Sequence, residues 1–238
     1  MTTVVGFLYP GYAAEDDYPL AARLLRGADV RLPVVHTSMD EDAHRVDALL
    51  DLGRDDRLAE GAHALGEQHP DAVVWACTSG SFVFGPQGAQ RQVDALAAAA
   101  GKPATSTSLA FVSALRHLGA NRVAVAATYP QDVATHFRDF LAAAGIEVLG
   151  LRSEGIVTAE EVGTLPSASD LVLAGDHPDA EVVLVPDTAL HTIAQLPDLE
   201  TAVAKPVLTA NQVSIFEGLR LATGSPPTNH ENLGRLFS

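Results

Sequence analysis

Cysteine is nearly absent from this chain of 238 residues, which contains only Cys77. A disulfide within the chain is therefore excluded, and so is a cysteine-rich zinc site. Lysine is almost as scarce, limited to Lys102 and Lys205, and Lys plus Arg total 15 against 30 Asp plus Glu, a formal charge of -15. Such a surface argues against nucleic acid as a partner, because phosphate contacts need clustered Lys and Arg. It leaves an anionic small substrate open, since backbone N–H groups bind anions locally. No stretch of 18 apolar residues occurs, so no membrane span and no membrane partner are expected. The first ten residues lack the basic region of a signal peptide. The expected location is the cytoplasm, where Cys77 would persist as a thiol.

What is present is a folding composition: 47% apolar and 19% charged residues, far from the profile of a disordered chain. Short β-branched runs alternate with longer amphipathic or Ala-rich segments. The runs Val4–Tyr9, Val30–His36, Ala72–Ala76, Ala104–Ser106, Arg122–Ala127, Ile146–Gly150, Glu181–Val185 and Val207–Thr209 read as strands. Helices are expected over Leu20–Arg26, Asp42–Leu52, Arg57–Gln68, Ala89–Ala100, Leu109–Leu118, Asp132–Ala144 and Gln212–Leu221. Gly85–Gly88 reads as a turn without the Lys of a phosphate loop, and Ser225–Ser238 as a polar surface tail. Repeated β-α-β units imply parallel sheets flanked by helices.

The alternation repeats internally. Val4–Pro10 is similar to Val123–Pro130, both strands ending in Tyr-Pro; Asp71–Thr78 is similar to Ala180–Thr188; Gly101–Ser106 is similar to Ala204–Thr209. Three matches in one order argue for two similar α/β lobes. The expected organisation is a first lobe over 1–118, a second over 119–210, and a C-terminal helix and tail over 211–238 packing back on the first. The lobes would be related by a pseudo-two-fold axis, with the active site between them.

In open parallel sheets, ligands bind beyond the carboxyl ends of the strands. Those ends carry Tyr9, Pro10, Gly11 and Tyr12, then Cys77-Thr78-Ser79-Gly80-Ser81, in the first lobe, and Tyr129-Pro130 and Asp187-Thr188 in the second. A thiol at a strand end followed by small hydroxyl residues and a glycine can present hydroxyls and N–H groups to a carboxylate. A helix starting near Ser79–Ser81 would lower the Cys77 pKa toward a thiolate. The alternative is a small buried hydrophobe. Asp187 has two readings: an acid/base whose pKa a partly apolar cleft would raise, or the N-cap of a following helix. Of the nine His residues, His36, His44, His63 and His69 follow no ligand spacing, and Glu15-Asp16-Asp17 reads as an acidic first helical turn rather than a metal site. No metal site is expected.

Asp71–Phe82 resembles the first catalytic-cysteine motif of the maleate cis-trans isomerase and arylmalonate decarboxylase group, within the aspartate/glutamate racemase superfamily. Val183–Thr192 resembles the second motif, which usually reads Cys-Thr-Asn-Leu-Arg-Thr. Arg122–Val125 leading to Tyr129 is similar to the strand carrying the group's substrate-binding tyrosine. This resemblance implies an enzyme without cofactors acting on a small carboxylate, and a homo-oligomer would fit. It implies a pocket of Thr78, Ser79, Tyr129 and Thr188, beside Pro10 and Gly11, that stabilises an enediolate-like charge. Cys77 and Asp187 would be the catalytic pair. The sequence departs from the group in placing Asp187 at the second cysteine and Ala13 where the first loop usually has Asn. His191 stands where the group often has Arg, implying either a pocket role or a helical position. The preferred activity is a cysteine-dependent isomerase of a small dicarboxylate, Cys77 adding to the double bond. The alternatives are a decarboxylase or racemase of the same superfamily, and a non-catalytic binder of small acids.

Overall fold

The structure is a computed structural model describing residues 2–25 and 27–238. Arg26, the expected end of the first helix, lies outside the described residues.

In chain order the elements are β1 (Thr3–Pro10), α1 (Asp17–Leu24), β2 (Val30–Arg31), β3 (Val34–Thr37), α2 (Val46–Leu52), α3 (Asp55–Leu65), β4 (Ala72–Trp75), α4 (Ser79–Phe82), α5 (Gly85–Ala100), β5 (Ala104–Ser106) and α6 (Thr107–Leu118). There follow β6 (Arg122–Ala127), α7 (Gln131–Ala143), β7 (Glu147–Ser153), α8 (Ala159–Gly163), α9 (Ser169–Gly175), β8 (Val182–Val185), α10 (Leu196–Val203), β9 (Val207–Thr209) and α11 (Ala210–Thr223).

Two parallel sheets result. The first runs β2-β1-β4-β5, with β3 pairing the later part of β1; the second runs β7-β6-β8-β9. With β3 read as the counterpart of β7, the orders are the same, as the internal repeats imply. β4 and β8 are buried along their whole length, the pattern of strands covered by helices on both faces. Residues just beyond β1, β4, β6 and β8 therefore gather at one edge of each sheet.

The lobes share a core. Tyr129, Phe82, Phe137 and Phe111 form a ring-to-ring chain with centroid spacings of 5.9, 5.3 and 5.5 Å, within the favourable range for aromatic pairs. α11 crosses back over the first sheet. Its Gly218 sits so close that a Cβ there would lie 2.4 Å from Val5 Cγ1 and 3.0 Å from Val74 Cγ2. A capping box of Thr209 and Gln212 starts this helix.

The structure corrects several boundaries. The expected strand Val30–His36 is two strands, because Pro33 offers no N–H; its carbonyl accepts from Phe7 N at 2.9 Å instead. The helix expected from Asp42 starts at Val46, because the Asp42 carboxylate is committed elsewhere. Gly85–Gly88 is the first turn of α5, with Pro86 where a helix tolerates it. The tail keeps to the surface over 225–232, but its end does not: Leu233, Leu236 and Phe237 are buried, Phe237 packing on Phe216 at 5.3 Å. α8, α9 and α10 were not anticipated; α8 starts at a Thr158 cap.

Candidate active site

β4 delivers Cys77 two residues beyond its end, immediately before the single turn of α4. The thiol sulfur accepts a hydrogen bond from Gly80 N at 3.3 Å and faces Ser79 Oγ at 3.8 Å. The turn is held from below. Gln92 Nε2 donates to Gly80 O at 2.9 Å and to Gly53 O at 2.7 Å, tying α5 and the end of α2 to the cysteine loop.

The expected depression of the Cys77 pKa does not occur. Burial pushes the thiol up to about 11, with the charge of Asp187 adding to the rise; the Gly80 N–H and the Ser79 hydroxyl oppose it but do not prevail. Desolvation of a thiolate outweighs the donors of a one-turn helix. Cys77 rests as a thiol.

β8 delivers Asp187. Its Oδ2 accepts a hydrogen bond from the Thr128 hydroxyl, and its Oδ1 accepts from Ala189 N at 2.9 Å. No helix follows: residues 188–190 form a turn, so the carboxylate caps a turn and not a helix, as Asx residues do. Both strand-end tyrosines brace this loop. Tyr129 donates to Pro186 O, and Tyr9 donates to Thr188 O at 3.0 Å. Asn211 on α11 also donates to Thr188 O, at 3.2 Å, and to Asp17 Oδ2 at 3.0 Å. Asp17 in turn accepts from Thr192 N at 3.0 Å and Ile193 N at 3.3 Å. It is a buried anchor, its carboxyl pushed above the usual range by desolvation. His191 lies outside any helix and pairs with Asp16 at 2.8 Å.

The segment 38–45 closes the site. Arg57 grips its base through Ser38 at 3.2 Å and Asp40 at 2.8 Å. Its far end is fastened to the second lobe: Asp42 accepts from Ala159 N at 2.8 Å and Glu160 N at 2.9 Å, and His44 N donates to Val157 O at 2.7 Å. Beneath it lies a cavity of about 40 Å³, room for a few waters. Cys77, Ser79, Asp187, Thr188 and Pro10 line it, with Tyr9 between them. Apolar wall comes from Leu49, Leu52, Ala48 and Ala189, and the closing segment contributes Met39, Glu41, Asp42, Ala43 and His44.

Three expected pocket residues are not among those lining this cavity. Thr78 is fully buried behind the cavity, its hydroxyl without a hydrogen-bond partner among the described residues. Tyr129 is buried too, its hydroxyl donating to Pro186 O and its ring against His44 of the cavity wall. Gly11 turns away with φ +64°, its carbonyl against His36 Nδ1 at 2.6 Å. His44 was passed over in the sequence because no partner spacing marks it.

The family model for arylmalonate decarboxylase matches residues 53–237. The chain belongs to the arylmalonate decarboxylase family. Arylmalonate decarboxylase from Bordetella bronchiseptica is 30% identical over 184 residues, covering 76% of each chain. Maleate isomerase from Nocardia farcinica is 29% identical over 173 residues, covering 68% of this chain and 69% of the isomerase. The crystal structure of a liganded arylmalonate decarboxylase double mutant, glycine to cysteine and cysteine to serine, superposes with TM-score 0.83 at 26% identity, covering 100% of this chain and 99% of that one. Arylmalonate decarboxylase relatives thus share both the fold and the sequence pattern, and the chain is an enzyme of the isomerase and decarboxylase group rather than a binding module. Among the described residues no helix is long and apolar enough to cross a membrane.

Proposed function

We propose that the protein decarboxylates a small α-substituted malonate and that Cys77 delivers the proton. The observation that carries this reading is the state of the thiol: the chain's single cysteine lines the cavity and is held protonated by burial. A malonate-type acid loses one carboxylate as CO₂, the bonding pair passing into an enediolate on the remaining carboxyl. One acid then suffices: the Cys77 S–H bond breaks, its proton goes to the α-carbon, and the thiolate left behind meets the Gly80 N–H and the Ser79 hydroxyl. Solvent restores the proton.

The negative charge of the enediolate needs donors placed where it develops. Ser79 and Thr188 line the cavity and are assigned this role. Apolar Leu49, Leu52 and Ala189 suit the α-substituent of the malonate.

The second reading is maleate-type isomerisation, favoured by the maleate isomerase relative and preferred on sequence grounds. It requires a thiolate to add to a double bond, then rotation and elimination. Burial of Cys77 works against its first step.

The test supplies phenylmalonate and maleate separately to the wild type and to Cys77→Ala, measuring CO₂ and fumarate. CO₂ release from phenylmalonate, lower by roughly 10²–10⁴-fold in the variant, supports decarboxylation. Undiminished turnover in Cys77→Ala, or turnover of maleate alone, overturns it.

A further inference from the structure

One group in the cavity remains without a role. His44 is buried, and it is the one residue among those lining the cavity that can carry a positive charge. Its Nδ1 lies 3.0 Å from Ile156 O. A carbonyl oxygen only accepts, so Nδ1 carries the hydrogen, and Nε2 is the nitrogen left to gain or lose a proton. The ring is held edge-to-face against Tyr129 at a centroid distance of 4.9 Å. It is fixed, not swinging.

The surroundings are otherwise anionic or neutral. On its own segment the charged neighbours are Glu41, paired with Arg45, and Asp42, committed to the Ala159 and Glu160 amides. β8 contributes Asp187, bound by Thr128 and Ala189. The end of β4 contributes the Cys77 thiol and the end of β1 the Tyr9 hydroxyl, and Tyr129 beyond β6 packs its ring against His44. None of these carboxylates forms an ion pair with His44 among the described residues. A substrate with two carboxylates meets hydroxyls and N–H groups for one of them, and repulsion for the other.

We propose that protonated His44 holds the second carboxylate of the substrate through Nε2–H, and so selects dicarboxylates over monocarboxylates. The inference rests on reading the cavity as the acid-binding site, though not on which reaction follows. It assigns a specificity-determining contact to the closing segment, whereas the contacts expected from the sequence all sit at strand ends.

Calorimetric titration with malonate and with propionate, in the absence of turnover, tests it between about pH 6.5 and pH 8.5. Wild-type affinity for malonate is expected to weaken with rising pH, by up to about tenfold per unit, while propionate shows no such trend. His44→Asn keeps an amide donor for Ile156 O but has nothing at Nε2. It is expected to bind malonate about tenfold or more weakly at pH 6.5, without pH dependence, and propionate as the wild type does. His44→Gln, which offers a neutral donor further out, is expected to lose the pH dependence as well. Malonate affinity that is flat with pH in the wild type, absent malonate binding, or equal losses for both acids in His44→Asn overturns the assignment. A chain that binds malonate in this way yet releases no CO₂ leaves the His44 assignment standing and overturns the decarboxylase reading.

Discussion

The Thr128 hydroxyl, at the end of β6, is bonded to the Asp187 carboxylate, at the end of β8, so adjacent strands of one sheet fix the charge that faces Cys77. The charge raises the thiol pKa, secondarily to burial. Asp187→Asn preserves an acceptor for Ala189 N while removing the charge. The expected result is a thiol that titrates at lower pH than in the wild type, by a modest margin because burial is the larger cause. The rate of iodoacetamide labelling against pH reads it. An unchanged profile would mean that Asp187 does not act on the sulfur.

The pH–rate profile separates proton donation from nucleophilic addition. A thiol pushed up to about 11 is fully protonated through neutrality. If Cys77 donates its proton, kcat for the malonate is expected to stay level from about pH 7 to pH 9 and to fall only near the thiol pKa. If Cys77 must add as thiolate, turnover of maleate would climb about tenfold per pH unit over the same range. Steady-state rates with each substrate decide between them.

Cys77 and Asp187 were legible because parallel β/α chains put chemistry beyond strand ends and because the repeat marks equivalent ends. The state of Cys77 was not legible: helix-dipole reasoning looks one turn ahead, while the desolvation that prevails comes from the whole surround. Tyr129 was placed on the right loop, but its bond to Pro186 O was not legible, since nothing local says that its hydroxyl meets that carbonyl. His44 was invisible for a related reason. Its position depends on bonds from Asp42 and His44 to residues 156–160, more than 110 positions along the chain. Pro33, by contrast, was visible in the sequence and should have split its strand.

Gly53 is a steric requirement of the cysteine loop. Its φ of -87° suits any residue, but a Cβ would lie 2.2 Å from Gly80 O and 2.7 Å from Gln92 Nε2. Gly53→Ala must displace the turn that carries Cys77. The expected cost is about 1–3 kcal/mol of stability together with a large fall in kcat, read by urea denaturation and by steady-state assay. Retention of both would show that the turn yields without consequence.

Asp17 anchors the Asp187 loop through Thr192, Ile193 and Asn211, and burial raises its pKa above the unfolded value. The folded chain therefore binds that proton more tightly than the unfolded chain. The stabilisation linked to it is complete below the unfolded pKa and is lost as pH rises through the folded one. The stability gap between wild type and Asp17→Asn is accordingly expected to be wider near pH 4 than near pH 7. Denaturant midpoints at both pH values measure it; a gap that widens toward neutrality would contradict the assigned sign.

Asp42 fastens the closing segment. Residues 38–45 lie over the cavity that Cys77 lines and are fastened to the second lobe, so they are expected to lift before substrate enters. The two hydrogen bonds that Ala159 N and Glu160 N donate to the Asp42 carboxylate oppose that lifting. They also hold His44 in register with the cavity. Asp42→Ala removes both bonds at the lip of the site, leaving the core intact, so stability is expected to fall by only about 1 kcal/mol. Amide hydrogen exchange at 159 and 160 should accelerate. Substrate association should quicken while KM rises, because the closed state that retains the acid is less populated. Stopped-flow measurement using the single tryptophan, Trp75, whose indole packs against Gly80 in the cysteine loop, would follow the association. An association rate unchanged by Asp42→Ala would mean that the acid reaches Cys77 by another route.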